Sequence, residues 1–231
     1  MYKRIVKSGV ILTLLMAMMA GAAQASVQVI GTAGYNSNTY NLIYDNASPF
    51  GSIVWLDYTH PADTWVNQKS WANGLLGSVT YYLNPGISIN WGGSWRLPTT
   101  VDNDSSWSNP PLATSSEMAY LCYTDLGNTT GVGLANKGPF TAIGTNGTNG
   151  YYWSDTQYAA APSFAWAFST YNGQQNALDK SSAGLYAVAV RPGELVASTV
   201  PEPSTYALLC ISLGVVGFAR KKMVKRDEQP A

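Results

Sequence analysis

Along most of this chain, hydrophobic and polar positions alternate in the short periods of strands, not the longer period of helices. Ser52-Ile53-Val54-Trp55-Leu56-Asp57-Tyr58 is dense in strand-favouring residues and apolar enough for burial on both faces. Phe164-Ala165-Trp166-Ala167-Phe168-Ser169 sets large aromatics against small residues with a period of two. Asn172-Gly173 behind it is a hairpin-turn signal. Tyr186-Ala187-Val188-Ala189-Val190-Arg191 predicts a last strand, ending before Pro192-Gly193. The stretch after Ser26 also reads as strand and turn.

Two segments change to helical spacing. Thr64 to Leu76 predicts a helix capped by Asp63 or Thr64 and stopped by Gly77. Its inward face is Trp65, Ala72 and Leu76, widened by Val66 and Leu75. Thr114-Ser115-Ser116-Glu117 is a capping box, in which the Glu117 carboxylate reaches back to the Thr114 N–H. Met118, Leu121, Cys122 and Leu126 follow on one face, and Gly127 ends the helix. Asn128 to Gly150 is so rich in Gly, Thr and Asn that an exposed, mobile loop is expected.

The two ends have a different pattern. Lys3, Arg4 and Lys7 precede an apolar run from Val10 to Ala20, and Ala23-Gln24-Ala25 supplies the small-x-small pattern that signal peptidase accepts. Residues 1–25 therefore read as a signal peptide, cut between Ala25 and Ser26. At the other end, Pro201-Glu202-Pro203 is followed by an apolar run over 206–219 and by basic residues over 220–226, opening with Arg220-Lys221-Lys222. That run falls short of the roughly 20 residues of a comfortable membrane helix, and Gly214 and Gly217 weaken it further. The charges beyond it favour a cytoplasmic position for residues 227–231.

Composition sharpens this division. The formal net charge is zero, yet both ends are basic. Between Ser26 and Val200 only Lys69, Arg96, Lys137, Lys180 and Arg191 are basic, against ten Asp and Glu. With no basic stripe to neutralise phosphates, nucleic acid is not an expected partner. Cys122 lies in the domain and Cys210 in the tail, so no disulfide forms within residues 26–199 and no cysteine pair can hold zinc. Stability must come from the aromatic core. Cys122, on an apolar helix face with no His or Lys beside it in sequence, reads as an inert buried thiol.

The C-terminal arrangement resembles a PEP-CTERM sorting signal, carried by Pro201-Glu202-Pro203, the short apolar helix and the basic cluster over residues 200–226. The resemblance implies transient anchoring in the inner membrane, recognition by an exosortase, removal of the tail near the motif, and delivery to the cell surface or extracellular polysaccharide. Three blocks of the domain resemble the Lcl C-terminal domain family (DUF1566): Trp95-Arg96-Leu97-Pro98-Thr99, Ser116-Glu117-Met118, and Tyr152-Trp153-Ser154 with Val190-Arg191-Pro192-Gly193. Trp55-Leu56-Asp57 and Trp71-Ala72 fit the family's opening. The implied fold is α+β, similar to C-type lectins and sulfatase-modifying factors, with long irregular loops. Relatives are often surface or polysaccharide-associated proteins.

Catalysis has little to stand on. His60 is the single histidine, read as an exposed loop residue because Pro61 follows it. Sulfatase-modifying relatives need a cysteine pair that this domain lacks. A carboxylate hydrolase could be assembled from Asp57 and Asp155, though either could equally cap a loop. Asp102-Asn103-Asp104-Ser105 has closely spaced oxygen ligands but lacks the Gly and Glu of a calcium loop, and reads as turn-forming. No cofactor and no metal are expected. Trp95, Arg96, Pro98, Trp153 and Arg191 read as structural, the arginines stacking on aromatics and satisfying loop carbonyls. The expected protein is a non-catalytic surface or matrix component that binds glycan or another protein, with Trp107, Tyr151 and Tyr152 as aromatic platforms. A purely structural matrix protein is the alternative, and a glycan hydrolase the third. Signal peptidase and exosortase are the processing partners.

Overall fold

The computed structural model describes residues 27–46, 48–102, 116–129, 131–144, 150–196 and 211. Among them are nine strands: β1 (Val27–Tyr35), β2 (Asn38–Asp45), β3 (Ile53–Asp63), β4 (Thr80–Leu83), β5 (Ile89–Trp91), β6 (Tyr151–Gln157), β7 (Phe164–Ser169), β8 (Gln175–Asp179) and β9 (Leu185–Leu195). Two short helices accompany them. α1 (Trp65–Gly74) runs on into a 3₁₀ turn at Leu75–Gly77, and α2 (Glu117–Tyr120) widens into a π-helical turn over Leu121–Asp125. The protein is a β-rich domain built on one sheet in the order β4-β1-β2-β3-β9-β6-β7-β8, with β5 paired to the end of β9. Neighbours are antiparallel except β6 and β9, which run parallel where Tyr152 faces Tyr186.

Period-two alternation explains why both faces of this sheet are dry. Successive side chains of a strand point to opposite faces, and here they enter two separate cores. Val54 and Leu56 of β3, Leu42 and Tyr44 of β2, and Ala187 and Ala189 of β9 join one core, closed by Ala72 of α1 and Leu75 of the turn after it with Trp95 and Leu97. Ile53 and Trp55, Ile43, and Val188 and Val190 join the other, closed by α2. On β7 the expected alternation separates Ala165 and Ala167 from Phe168 in the same way. Trp166 is buried as well and donates to Asp102 (2.8 Å). Trp55, Trp95, Trp153 and Trp166 are all fully buried, so the core is aromatic, as composition suggested.

Four elements differ from expectation. α1 turns inward Gln68, Ala72 and the following Leu75, while Val66 and Leu76 are 60% and 47% exposed. Gln68 takes the place of an apolar residue because three polar neighbours wait for it. Its Nε2 donates to the carbonyls of Pro61 (2.7 Å) and Leu185 (3.1 Å), and its Oε1 meets His60 Nδ1 (2.7 Å). At the helix start, Asp63 Oδ1 accepts from the Thr64 N–H and from Asn67, and the Trp65 N–H donates to the Lys180 carbonyl. The Asn67 and Thr64 hydrogen bonds hold the Asp63 carboxyl below its ordinary range.

The loop read as exposed contributes to the second core. Leu134, Phe140 and Ile143 are buried there, each a lone apolar residue spaced too widely to form a pattern. β9 does not end at Val190 or Arg191. It continues through Pro192 and Gly193 by changing partner, from β3 to β5, where Gly193 faces Trp91 and Leu195 faces Ile89. Finally, α2 is capped by Ser116, whose hydroxyl accepts from the Ala119 N–H (3.3 Å). Glu117 is the first residue of the helix, and Thr114, the other half of the expected box, lies outside the described residues.

Candidate functional site

The residue blocks singled out in the sequence come together around one ion pair. Arg96 lies in a short bridge to Val190 of β9. Its guanidinium forms a two-pronged pair with Glu117, Nη1 to Oε2 and Nη2 to Oε1, both 2.7 Å. Glu117 Oε2 also accepts from the Thr99 N–H (2.6 Å), and Arg96 Nη1 donates to the Leu97 carbonyl (3.0 Å). The Glu117 side chain has no exposed surface. Burial works against the guanidinium's charge, but hydrogen bonds to Glu117, its charge and that of Asp155 together leave the Arg96 pKa raised. A bidentate pair of this kind is strong and geometrically specific. It fastens the 95–99 segment to α2, and the Asp155 N–H donating to the Pro98 carbonyl fastens it to β6.

Arg96 does not stack on Trp95. Trp95 instead lies parallel to Tyr81 (6.5 Å between centroids) and donates to its hydroxyl (2.8 Å). Arg191 does stack, 4.6 Å over the Trp91 ring, while its Nε donates to the Gly93 carbonyl and its Nη1 to the Tyr81 hydroxyl. Trp153 is core, its indole N–H donating to the Asp63 carbonyl.

The groups with chemistry to offer are each engaged. Asp57, buried, accepts from the Thr141 N–H and hydroxyl and from the Ala142 N–H, and so ties the 141–142 segment to β3. Asp155 pairs with Lys69 at 2.8 Å. Asp102 accepts from the Ala159 N–H and the Trp166 indole; the rest of its acidic cluster, residues 103–105, lies outside the described residues. His60 is not a loop residue. It sits in β3, half-buried and stacked on Trp71 at 4.4 Å. Since both Gln68 amide hydrogens are committed to carbonyls, Gln68 offers His60 an acceptor, and Nδ1 carries the proton. Cys122 is buried in the second core, where desolvation pushes its pKa up to about 12.

Two of the three aromatic platforms can be placed, and Trp107 lies outside the described residues. Tyr152 is only 1% exposed. Its hydroxyl meets that of Thr59 (2.9 Å) and accepts from the Gly144 N–H (3.1 Å), so it is a core residue and not a platform. Tyr151 is half-buried against the first core and accepts a hydrogen bond from Asn176 (3.2 Å).

Among the described residues an open concavity lies elsewhere, at the β4 edge of the sheet. β1 and β2 are joined by Asn36-Ser37, a two-residue turn in which both φ angles are positive (48° and 61°). With Asn38, Thr39, Thr80 and Tyr82 this turn lines a groove of about 370 Å³. Tyr82 is 58% exposed and lies beside Gly34, whose missing side chain leaves the ring its place. The sequence carries a faint signal here, in the strand-and-turn pattern around Asn36-Ser37 and the alternation of Thr80-Tyr81-Tyr82-Leu83.

The described part of the chain is thus a β-rich domain with two dry cores, tied by a buried ion pair and carrying a polar groove at one edge. Comparison with known families matches residues 199–223 to the PEP-CTERM protein-sorting motif. The match spans Pro201-Glu202-Pro203, the apolar run and Arg220-Lys221-Lys222. It implies an exported protein, targeted to exosortase and bound for the cell surface or beyond. No curated protein and no solved structure matches the chain. Among the described residues no helix is long and apolar enough to cross a membrane.

Proposed function

We propose that this chain is a non-catalytic protein of the cell surface or extracellular matrix, whose domain binds glycan or another protein after exosortase has removed the tail. The observation that carries the reading is the sorting motif at 199–223. Residues 1–25 then serve as the signal peptide and 26–199 as the working domain, and the inner membrane holds the 206–219 helix only until cleavage. The convergence of Trp95-Arg96-Leu97-Pro98-Thr99, Glu117 and β9 on one ion pair supports the resemblance to the Lcl C-terminal domain. The engagement of Asp57 and Asp155 in separate structural contacts favours binding over hydrolysis. A purely structural matrix role is the second reading, favoured by how many aromatics are consumed inside the cores.

Processing is read directly. With an epitope after Ala231, deletion of Pro201 to Pro203 leaves the epitope attached to the full-length protein in exosortase-positive cells, whereas the unaltered chain loses it. Equal loss of the epitope from both would reject the assignment.

A further inference from the structure

Nothing in the motif says where the domain would hold a ligand. We infer that the groove between the β1–β2 turn and β4 is a binding site for an uncharged glycan, with Tyr82 as its stacking platform. This rests on the reading of the domain as a binding module and gives that reading a location and a ligand class.

Three observations carry it. The first is Tyr82 itself. Alternation on a strand at the sheet's edge turns Thr80 and Tyr82 outward while Tyr81 and Leu83 pack against the core. Among the described residues the large aromatics are buried or half-buried except Tyr82 and Tyr171, and of these two the Tyr82 ring rests beside Gly34 in the groove, where an added Cβ would come within 3.4 Å of its Cε2. A ring supported in this way, apolar across its body and polar at its tip, suits the C–H face of a pyranose.

The second is the character of the lining. Asn36, Ser37, Asn38, Thr39 and Thr80 offer amide and hydroxyl groups, each able to donate and accept, and no charged side chain lines the groove. Sugar hydroxyls also donate and accept. A carboxylated or sulfated polymer would find no cation to meet it, and burying its charge unpaired would be costly. The volume, about 370 Å³, is within the roughly 300–1,000 Å³ of small-ligand sites. Its position at the sheet's end leaves a polymer free to run past.

The third is the turn. A two-residue hairpin loop with both φ positive favours Gly at its second position, and Ser37 stands there at φ 61°. A side chain in that conformation is strained relative to the ordinary helical region. Ser37 lines the groove with a hydroxyl-bearing side chain that glycine would lack. Strained positions of this sort gather at binding sites.

The test uses the full chain in mild detergent and the producing cells' extracellular polysaccharide, split by anion exchange into neutral and acidic fractions and coupled to beads. The expected result is retention on the neutral fraction. Tyr82→Ala weakens retention about tenfold, the scale of one lost aromatic contact, while Tyr82→Phe keeps the ring and most of the binding. Because Tyr82 is largely exposed, an unchanged melting curve accompanies the loss. Undiminished binding by Tyr82→Ala, or retention on the acidic fraction alone, would overturn the groove assignment and leave the glycan reading standing. Retention on neither fraction would remove both.

Discussion

The Arg96–Glu117 pair shows how a single charged side chain can be affordable inside an apolar core. Glu117 has no exposed surface and accepts three hydrogen bonds from Arg96 and Thr99. Removing one partner strands the other, so Arg96→Met is expected to destabilise the domain by about 3–5 kcal/mol, measured by urea unfolding. Gln68→Leu is the neutral counterpart. It leaves the Pro61 and Leu185 carbonyls and His60 Nδ1 without their partner, and a loss of about 1–3 kcal/mol is expected in the same assay. Cys122 provides a pH prediction. Its thiol ionises near 9.0 when solvated but only at about 12 when folded. The unfolded chain therefore releases the proton first, and stability present below pH 9 is lost as pH rises toward 12. Thiol reagents at pH 8 should label Cys122 only after denaturation; rapid labelling of the folded domain would contradict its burial. Cys122 was legible in the sequence because it lies on a periodic apolar face. The partnership of Arg96 with Glu117 was not, since residues 21 positions apart are joined only by the fold.

At the scale of elements, legibility followed the period. β3, β7 and β9 were readable because alternating residues feed two cores, and α1 because Gly74 to Gly77 close it near the expected point. The elements that periodicity does not show are held by scattered, non-periodic contacts. Segment 131–144 is anchored by Leu134, Phe140 and Ile143 and by the Asp57 clamp, none of which forms a run. His60 and Pro61 remain within a strand because β3 is bulged there, its pairing with β9 passing from Leu56 to His60 and then to Asp63. The groove depends on Gly31, at the β1 bulge, where φ is 156° and an added Cβ would overlap the Tyr82 carbonyl. Gly31→Ala should therefore loosen β4 from β1 and expose the Tyr81, Tyr82 and Leu83 amides to hydrogen exchange, while amides in β6 to β8 keep their protection. Uniform protection across the sheet would show that β4 does not depend on that close approach.

For the whole molecule, composition tells the two ends from the middle, and residues 199–223 match the PEP-CTERM protein-sorting motif. The described residues of the acidic, sparsely charged middle form a β-rich sheet with a polar concavity at one edge. β9 gives this arrangement a mechanical consequence. The last described residue before the tail, Val196, continues a strand that lies in the interior of the sheet, gripped by β3 along one flank and by β6 and β5 on the other. A pull on the tail therefore runs lengthwise through β9 and loads its cross-strand bonds in shear, all at once. Were β9 a terminal hairpin, the same pull would peel it open one bond at a time. The domain is attached where it can be towed without unravelling.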